Sequence, residues 1–134
     1  MAEVPAAYLD LLTTKKPLAH LATIMKDGSP QVTPIWFDYT GGLIRVNSAK
    51  GRTKSRNMTE GAAVALSIVD PDNAYRYLQV RGNVTKVTET GADAHIDSLA
   101  MKYLGLASYP YPYRSAAEVR MIFEITPASV QVMG

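Results

Sequence analysis

Leu18-Ala-His-Leu-Ala-Thr-Ile-Met25, Lys26-Asp-Gly-Ser29 and Gln31-Val-Thr-Pro-Ile-Trp-Phe-Asp-Tyr39 form the stretch on which the fold turns. Two β-rich runs flank an Asp27-Gly28 pair, and that pair supplies the positive-φ residue a tight hairpin needs. A second turn at Gly41-Gly42 sends the chain back through Leu43-Ile-Arg-Val-Asn-Ser48, so three consecutive antiparallel strands are expected. Pro34 has no N–H to give a ladder, which puts its strand at an edge, at a bulge, or with its backbone open to a ligand.

Outward from this core, residues 5–14 read as a helix with Pro5 in its first turn and Tyr8, Leu11 and Leu12 on one side, expected to lie across an open barrel end. Residues 49–61 are polar, poor in β-formers and closed by Gly61, which reads as a short helix with a glycine cap. Strands follow at Ala63–Val69, Tyr75–Arg81 and Asn83–Glu89, with a turn at Asp70-Pro-Asp-Asn73 and a bend or bulge at Gly82. From Thr90 to Gly105, the residues Ile96, Leu99, Ala100, Tyr103 and Leu104 mark one face of an amphipathic helix. A Pro- and Tyr-rich loop over residues 109–114 leads to a last strand, Val119–Thr126, and a short tail. Six or seven strands at turn-sized spacing close most economically as a small antiparallel β-barrel, a mainly β fold with a few helices, because closure removes sticky edges.

With 134 residues, 47% hydrophobic and 19% charged, the chain fits one domain spanning residues 1–134. Its apolar runs are short and interrupted, so no membrane span is expected, and nothing in Met1–Ala7 marks a secretory leader. A cytoplasmic location follows by default. Without cysteine there is no thiol nucleophile or thiolate site, and two distant histidines, His20 and His95, make a poor metal set. His20 reads as a hydrogen-bonded structural histidine on an apolar strand, and His95 as a helix residue beside Asp93 and Asp97. No metal is expected and neither histidine is assigned to catalysis. The scattered Arg76, Arg114 and Arg120 read as surface or interface ion pairs.

The net charge of +2 is too small to make the whole surface a polyanion binder, so the placement of cations matters. Lys50, Arg52, Lys54 and Arg56 put four cations in seven residues where a strand gives way to a helix. Free backbone N–H groups and a helix start, with Ser48 and Thr53 hydroxyls nearby, would suit a phosphate. The same run also reads as a solvated helix face or as a nucleic-acid backbone contact, and spacing does not decide among the three. Against nucleic acid, the chain lacks a broad basic stripe and a stacking series of aromatics.

Leu21-Ala-Thr, Asp27-Gly-Ser-Pro-Gln-Val-Thr-Pro-Ile-Trp-Phe37 and Val46-Asn-Ser-Ala-Lys-Gly-Arg-Thr-Lys-Ser-Arg-Asn-Met58, taken together, resemble the pyridoxamine-phosphate-oxidase-like split-barrel superfamily. Within it the chain is most similar to the group B flavin/deazaflavin oxidoreductases, which use coenzyme F420. The resemblance runs over almost the whole chain and implies an F420-dependent reductase of a small enone, quinone or nitroaromatic acceptor. FMN dependence on the same fold, or F420 binding without turnover, are its alternatives. It implies a phosphate site at Ser48, Ala49, Lys50, Arg52, Lys54 and Asn57, and a ring-lining segment at Thr33, Pro34, Ile35 and Trp36. It further implies a homodimer with cofactor sites at the interface, to which the partner brings Tyr77, Gln79 and Arg81. The chain is shorter than the vitamin-B6 oxidases and lacks their C-terminal extension, so pyridoxamine phosphate oxidation is not expected. Tyr109, Tyr111 and Tyr113 are candidates for an aromatic wall or a proton donor, and the catalytic residue itself is left unassigned.

Overall fold

A computed structural model of the chain describes residues 1–110, 115 and 117–134. Tyr111, Tyr113 and Arg114 lie outside the described residues. After a 3-10 turn at Ala6–Tyr8 come α1 (Asp10–Thr13), β1 (Ala19–Ile24), β2 (Pro30–Ile35), β3 (Phe37–Thr40) and β4 (Leu43–Ala49). Then follow α2 (Thr53–Asn57), β5 (Ala63–Asp70), β6 (Asn73–Thr88), α3 (Ala92–Leu104) and β7 (Arg120–Met133).

The strands form one antiparallel sheet in the order β2-β1-β5-β6-β7-β4-β3. The two hairpins are where the turns demand them: Gly28 takes φ 89° between β1 and β2, and Gly41 and Gly42 take φ 59° and 83° between β3 and β4. What differs is the strand between them. Gln31–Tyr39, read as one strand, breaks at Trp36 into β2 and β3, which lie at opposite edges of the sheet. A sheet whose two edges are joined by a single residue must curl, and the result is a split barrel rather than a three-stranded meander. Pro34 sits on the edge strand β2, where its missing N–H is harmless.

Conversely, the two strands expected around Gly82 are one 16-residue strand, with a register shift between Arg81 and Gly82. The expected C-terminal tail is also strand, since β7 continues past Pro127 and pairs Val132 with Leu78. The short terminal apolar residues had no turn signal to stop them, and β6 supplies an open partner.

Leu11, Leu12, Leu21, Phe37, Ile44, Met58, Leu66, Ile68, Leu78, Phe123 and Ile125 fill the barrel. The expected helix over residues 5–14 is a 3-10 turn and a four-residue α1, which still delivers Leu11 and Leu12 to the core against β3 and β5. Helix α2 is also shorter than expected: it ends at Asn57, so Gly61 caps no helix and turns the chain toward β5. On α3 the buried face begins earlier than its apolar residues suggest, at Ala92 and His95, and Leu104 is exposed. Gly105 closes this helix at φ 70°.

Arg76 binds Asp10 and Asp70, and Lys15 binds Asp70 at 2.7 Å, pinning α1 to the β5–β6 turn. Hydrogen bonding from Lys15 leads the effects that hold the Asp70 carboxyl down to about 2, from an ordinary 3.8. A folded-state pKa below the unfolded one means stability that is full above 3.8 and is lost as pH falls toward about 2. Thermal melts are therefore expected to drop through that acid window, and Asp70→Asn to flatten the drop at the cost of a lower melting temperature at neutral pH.

Candidate functional site

Where the β2–β3 break turns the chain, a cleft of about 310 Å³ opens, lined by Pro34, Ile35, Trp36, Asn47, Arg52, Lys54, Ile96, Leu99, Tyr109, Arg120 and Leu18. This volume is at the lower end of small-molecule sites. Its apolar side is built by the edge of β2 and by α3, whose Ile96 and Leu99 recur at helical spacing. Trp36 stacks on Tyr103 with ring centroids 5.4 Å apart and planes 5° from parallel, and meets Tyr109 edge-on at 6.0 Å. Tyr103 is anchored in turn, its hydroxyl donating to Pro17 O at 2.7 Å, and burial pushes that hydroxyl up to about 12.

The other end is cationic. Gly51, at φ 91°, turns the chain out of β4, and the Ser55 hydroxyl closes the turn onto Ala49 O at 2.7 Å. Arg52 and Lys54 are thereby presented at the cleft. Arg52 donates to Glu118 at 3.1 Å, while Lys54 has no ion-pair partner among the described residues. Burial, then the like charges of Arg52 and Arg120, push the Lys54 ammonium below the usual 10.5. A cation held at a cost in this way is a site that an anion relieves.

The four cations of residues 50–56 do not act as one cluster. Lys50 is exposed, and Arg56 lies with Lys26, Thr53 and Asn57 along a separate cavity of about 500 Å³. Lys50 and Arg52 N–H groups are already bonded to Val119 and Ala49 carbonyls, and α2 has only five residues, so the helix start offers little of the expected anion cradle. Asn57 is tied to Thr23 at 3.0 Å and to Met25 rather than to the cleft. Ser48 is 1% exposed and alternates with Ile44 and Val46 on the core face of β4, and among the described residues its hydroxyl is without a hydrogen bond, as is that of Thr33. Ala49 is buried beside it.

Tyr77, Gln79 and Arg81 alternate on the outer face of β6, away from the cleft. Arg81 borders a shallow groove of about 400 Å³ with Ala22, Ile24, Ala65 and Ser129. His20 points outward and is exposed rather than structural, whereas Arg76 makes the ion pairs expected of it.

Sequence reading missed Asn47, Arg120, Leu18, Ile96 and Leu99 as lining residues. Asn47 is adjacent to Ser48 within the motif, and only the strand's alternation distinguishes the residue facing the cleft from the one facing the core. Arg120 is 6% exposed, so it is no surface ion pair. Its Nε donates to Asn47 Oδ1 at 2.8 Å; Asn47 Nδ2 faces Ala92 O at 2.8 Å and His95 Nδ1 at 3.1 Å. His95 Nε2 reaches Asp38 at 3.0 Å, and Arg45 clasps Asp38 with two bonds of 2.8 Å. Burial raises the Asp38 carboxyl, but bonds from His95 and Arg45 outweigh it and leave it below the ordinary value. No cluster of potential metal ligands occurs among the described residues, and no described helix is long and apolar enough to cross a membrane.

A curled seven-stranded antiparallel sheet with a cleft at its edge junction defines a split β-barrel. The chain belongs to the pyridoxamine 5'-phosphate oxidase family, whose model matches residues 5–134. Among solved structures, one described as F420 reductase is 34% identical, with a TM-score of 0.81 over 96% of this chain and 98% of that one. A pyridoxamine 5'-phosphate oxidase-like protein from Listeria innocua is 15% identical, TM-score 0.69, over 94% of each chain. An FAD and heme binding protein from Mycobacterium smegmatis is 19% identical, TM-score 0.68, over 96% of this chain and 70% of that one. The last two share the fold. No curated protein matches the chain.

Proposed function

We propose that the cleft binds coenzyme F420 by its phosphate-bearing tail and that the protein is an oxidoreductase passing a hydride between this coenzyme and a small organic acceptor. The observation that carries the reading is one cleft with Lys54, which has no ion-pair partner among the described residues, beside Arg52 at one end and the Trp36–Tyr103 stack at the other. A ligand with an anionic tail and a flat ring system matches both ends, and the likeness to a protein described as F420 reductase supports the same choice.

Arg52 and Lys54 would hold the phosphate, and Pro34, Ile35 and Trp36 the edge of the ring. When bound, the coenzyme supplies the hydride at C5 of its deazaflavin. The chain's own residues bind and orient: Ile96 and Leu99 exclude water, and Tyr109, which lines the cleft, would pass a proton to product. FMN would satisfy the same cationic end, which makes an FMN-dependent oxidoreductase the second reading. Binding of F420 without turnover is the third.

In this reading the protein is a homodimer. The groove beside Arg81 is shallow, apolar and outward-facing, as a surface covered by a second copy would be, and Tyr77 and Gln79 alternate with Arg81 on the same outer face of β6. Sedimentation is expected to give twice the chain mass.

Reduced F420 should be oxidised, followed by the return of its visible absorbance, when enones, quinones or nitroaromatics are supplied with the protein. Tight binding with no oxidation over such a panel would leave a coenzyme-binding protein. A tightly held yellow FMN and no response to F420 would select the second reading.

A further inference from the structure

Arg120 opens β7 almost wholly buried, yet of its guanidinium donors only Nε has a hydrogen bond among the described residues. Nη1 lies 3.1 Å from Glu118 Oε2, but off line: both atoms are buried and neither makes a hydrogen bond among the described residues. A buried guanidinium is costly unless its donors are matched, and this one is left with donor capacity at the wall of a cleft it lines.

Its orientation is not accidental. Arg120 Nε can only donate, so the atom of Asn47 that faces it is the carbonyl oxygen, and the amide nitrogen faces His95. That nitrogen donates to Nδ1, which leaves the ring hydrogen on Nε2, donated to Asp38. Asp38, half-buried, and the buried His95 and Asn47 thus form a chain with one consistent sense of hydrogen bonding, and its end fixes the plane of Arg120.

Charge points the same way. Among the described residues Arg52 and Arg120 share the one carboxylate of Glu118 and Lys54 has none, so the described groups at the cationic end keep an excess of two positive charges. A single-charged tail would leave part of that unmatched.

We propose that Arg120 is a specificity-determining residue that binds a further anionic oxygen of the tail held by Arg52 and Lys54, and that His95 positions it through Asn47. The inference rests on the coenzyme reading above. Its consequence is that the cleft discriminates between ligands with and without the phosphate-bearing tail more strongly than two cations at a half-open surface would allow.

The test is fluorescence titration, with Trp36 as the sole tryptophan, of F420 against the same ribityl deazaflavin lacking the phosphate tail, and of FMN against riboflavin. Wild-type protein should prefer the phosphate-bearing member of at least one pair. Arg120→Lys keeps the charge but loses the fork and the Nε bond to Asn47, and should cut that preference about tenfold or more with little change for the tail-less ligand. His95→Phe should cut it in the same sense while leaving affinity for the tail-less ligand unchanged, a split that a purely structural role would not produce. Should that variant fail to fold, Asp38→Ala removes the acceptor of the His95 Nε2–H and is expected to act alike. No preference in the wild type would defeat the coenzyme reading itself. A wild-type preference kept in full by Arg120→Lys would overturn the inference alone, and one kept by His95→Phe, or by Asp38→Ala in its place, would overturn the positioning role.

Discussion

Lys54→Ala is expected to weaken F420 binding by about ten- to a hundredfold, the range for losing a charge-assisted bond to an anion in a half-buried site. The ammonium is where the free protein is electrostatically least comfortable. Burial and the neighbouring Arg52 and Arg120 all disfavour its charge, and no described carboxylate offsets them. Binding an anion removes that penalty, so the ammonium contributes more than an exposed lysine would. The sign for pH follows: the lowered ammonium pKa means that affinity falls as pH rises, beginning below the usual 10.5. Lys50→Ala, at an exposed lysine outside the cleft, is the matched control and should change affinity less than threefold or so. Isothermal titration of the three proteins at two ionic strengths reads both effects.

Gly82→Ala is expected to destabilise the fold by about 3 kcal/mol, at the upper end of what overpacking costs. A Cβ placed there would lie 2.3 Å from the Thr126 carbonyl oxygen, with the Ile125 side chain also within 3.3 Å. The first contact is backbone in the ladder between the two longest strands, so no side-chain rotation relieves it. Gly82 is needed for space and not for a positive φ: it stands at the register shift where β6 passes Pro127. Denaturant melts should show the midpoint fall with an unchanged slope. A melt within error of wild type would mean that β7 can move aside at Pro127.

The sequence signals that survived are local. Asp27-Gly28 and Gly41-Gly42 make their hairpins, Pro34 lies on an edge, and Gly105 ends α3. Those are outcomes of backbone geometry that a few residues decide. What could not be read was non-local: nothing in Gln31–Tyr39 says that its halves join opposite edges, because the break at Trp36 is stabilised by Tyr103 and Lys102, which reach it from α3. The site divides the same way. Arg52, Lys54, Pro34, Ile35 and Trp36 were legible from charge and motif and do meet in one cleft. Ser48 and Asn57 carry suitable chemistry and face elsewhere, the first by strand alternation and the second by its bond to Thr23. His95 reads in the sequence only as a helix residue beside Asp93 and Asp97, and only the packing of α3 on β3 and β4 reveals its bonds to Asn47 and Asp38.

The central claim is that this cleft takes a phosphate-bearing flavin-type coenzyme, with F420 preferred. Its most direct test is a side-by-side titration of the ligand-free protein with F420 and FMN, read by ligand fluorescence and by quenching of Trp36. Saturable quenching of Trp36 with one coenzyme per chain, tighter for F420 than for FMN and weakened by Lys54→Ala, is the predicted result. Absence of saturable binding by either coenzyme, or binding that leaves Trp36 emission and the Lys54→Ala affinity unchanged, would contradict it.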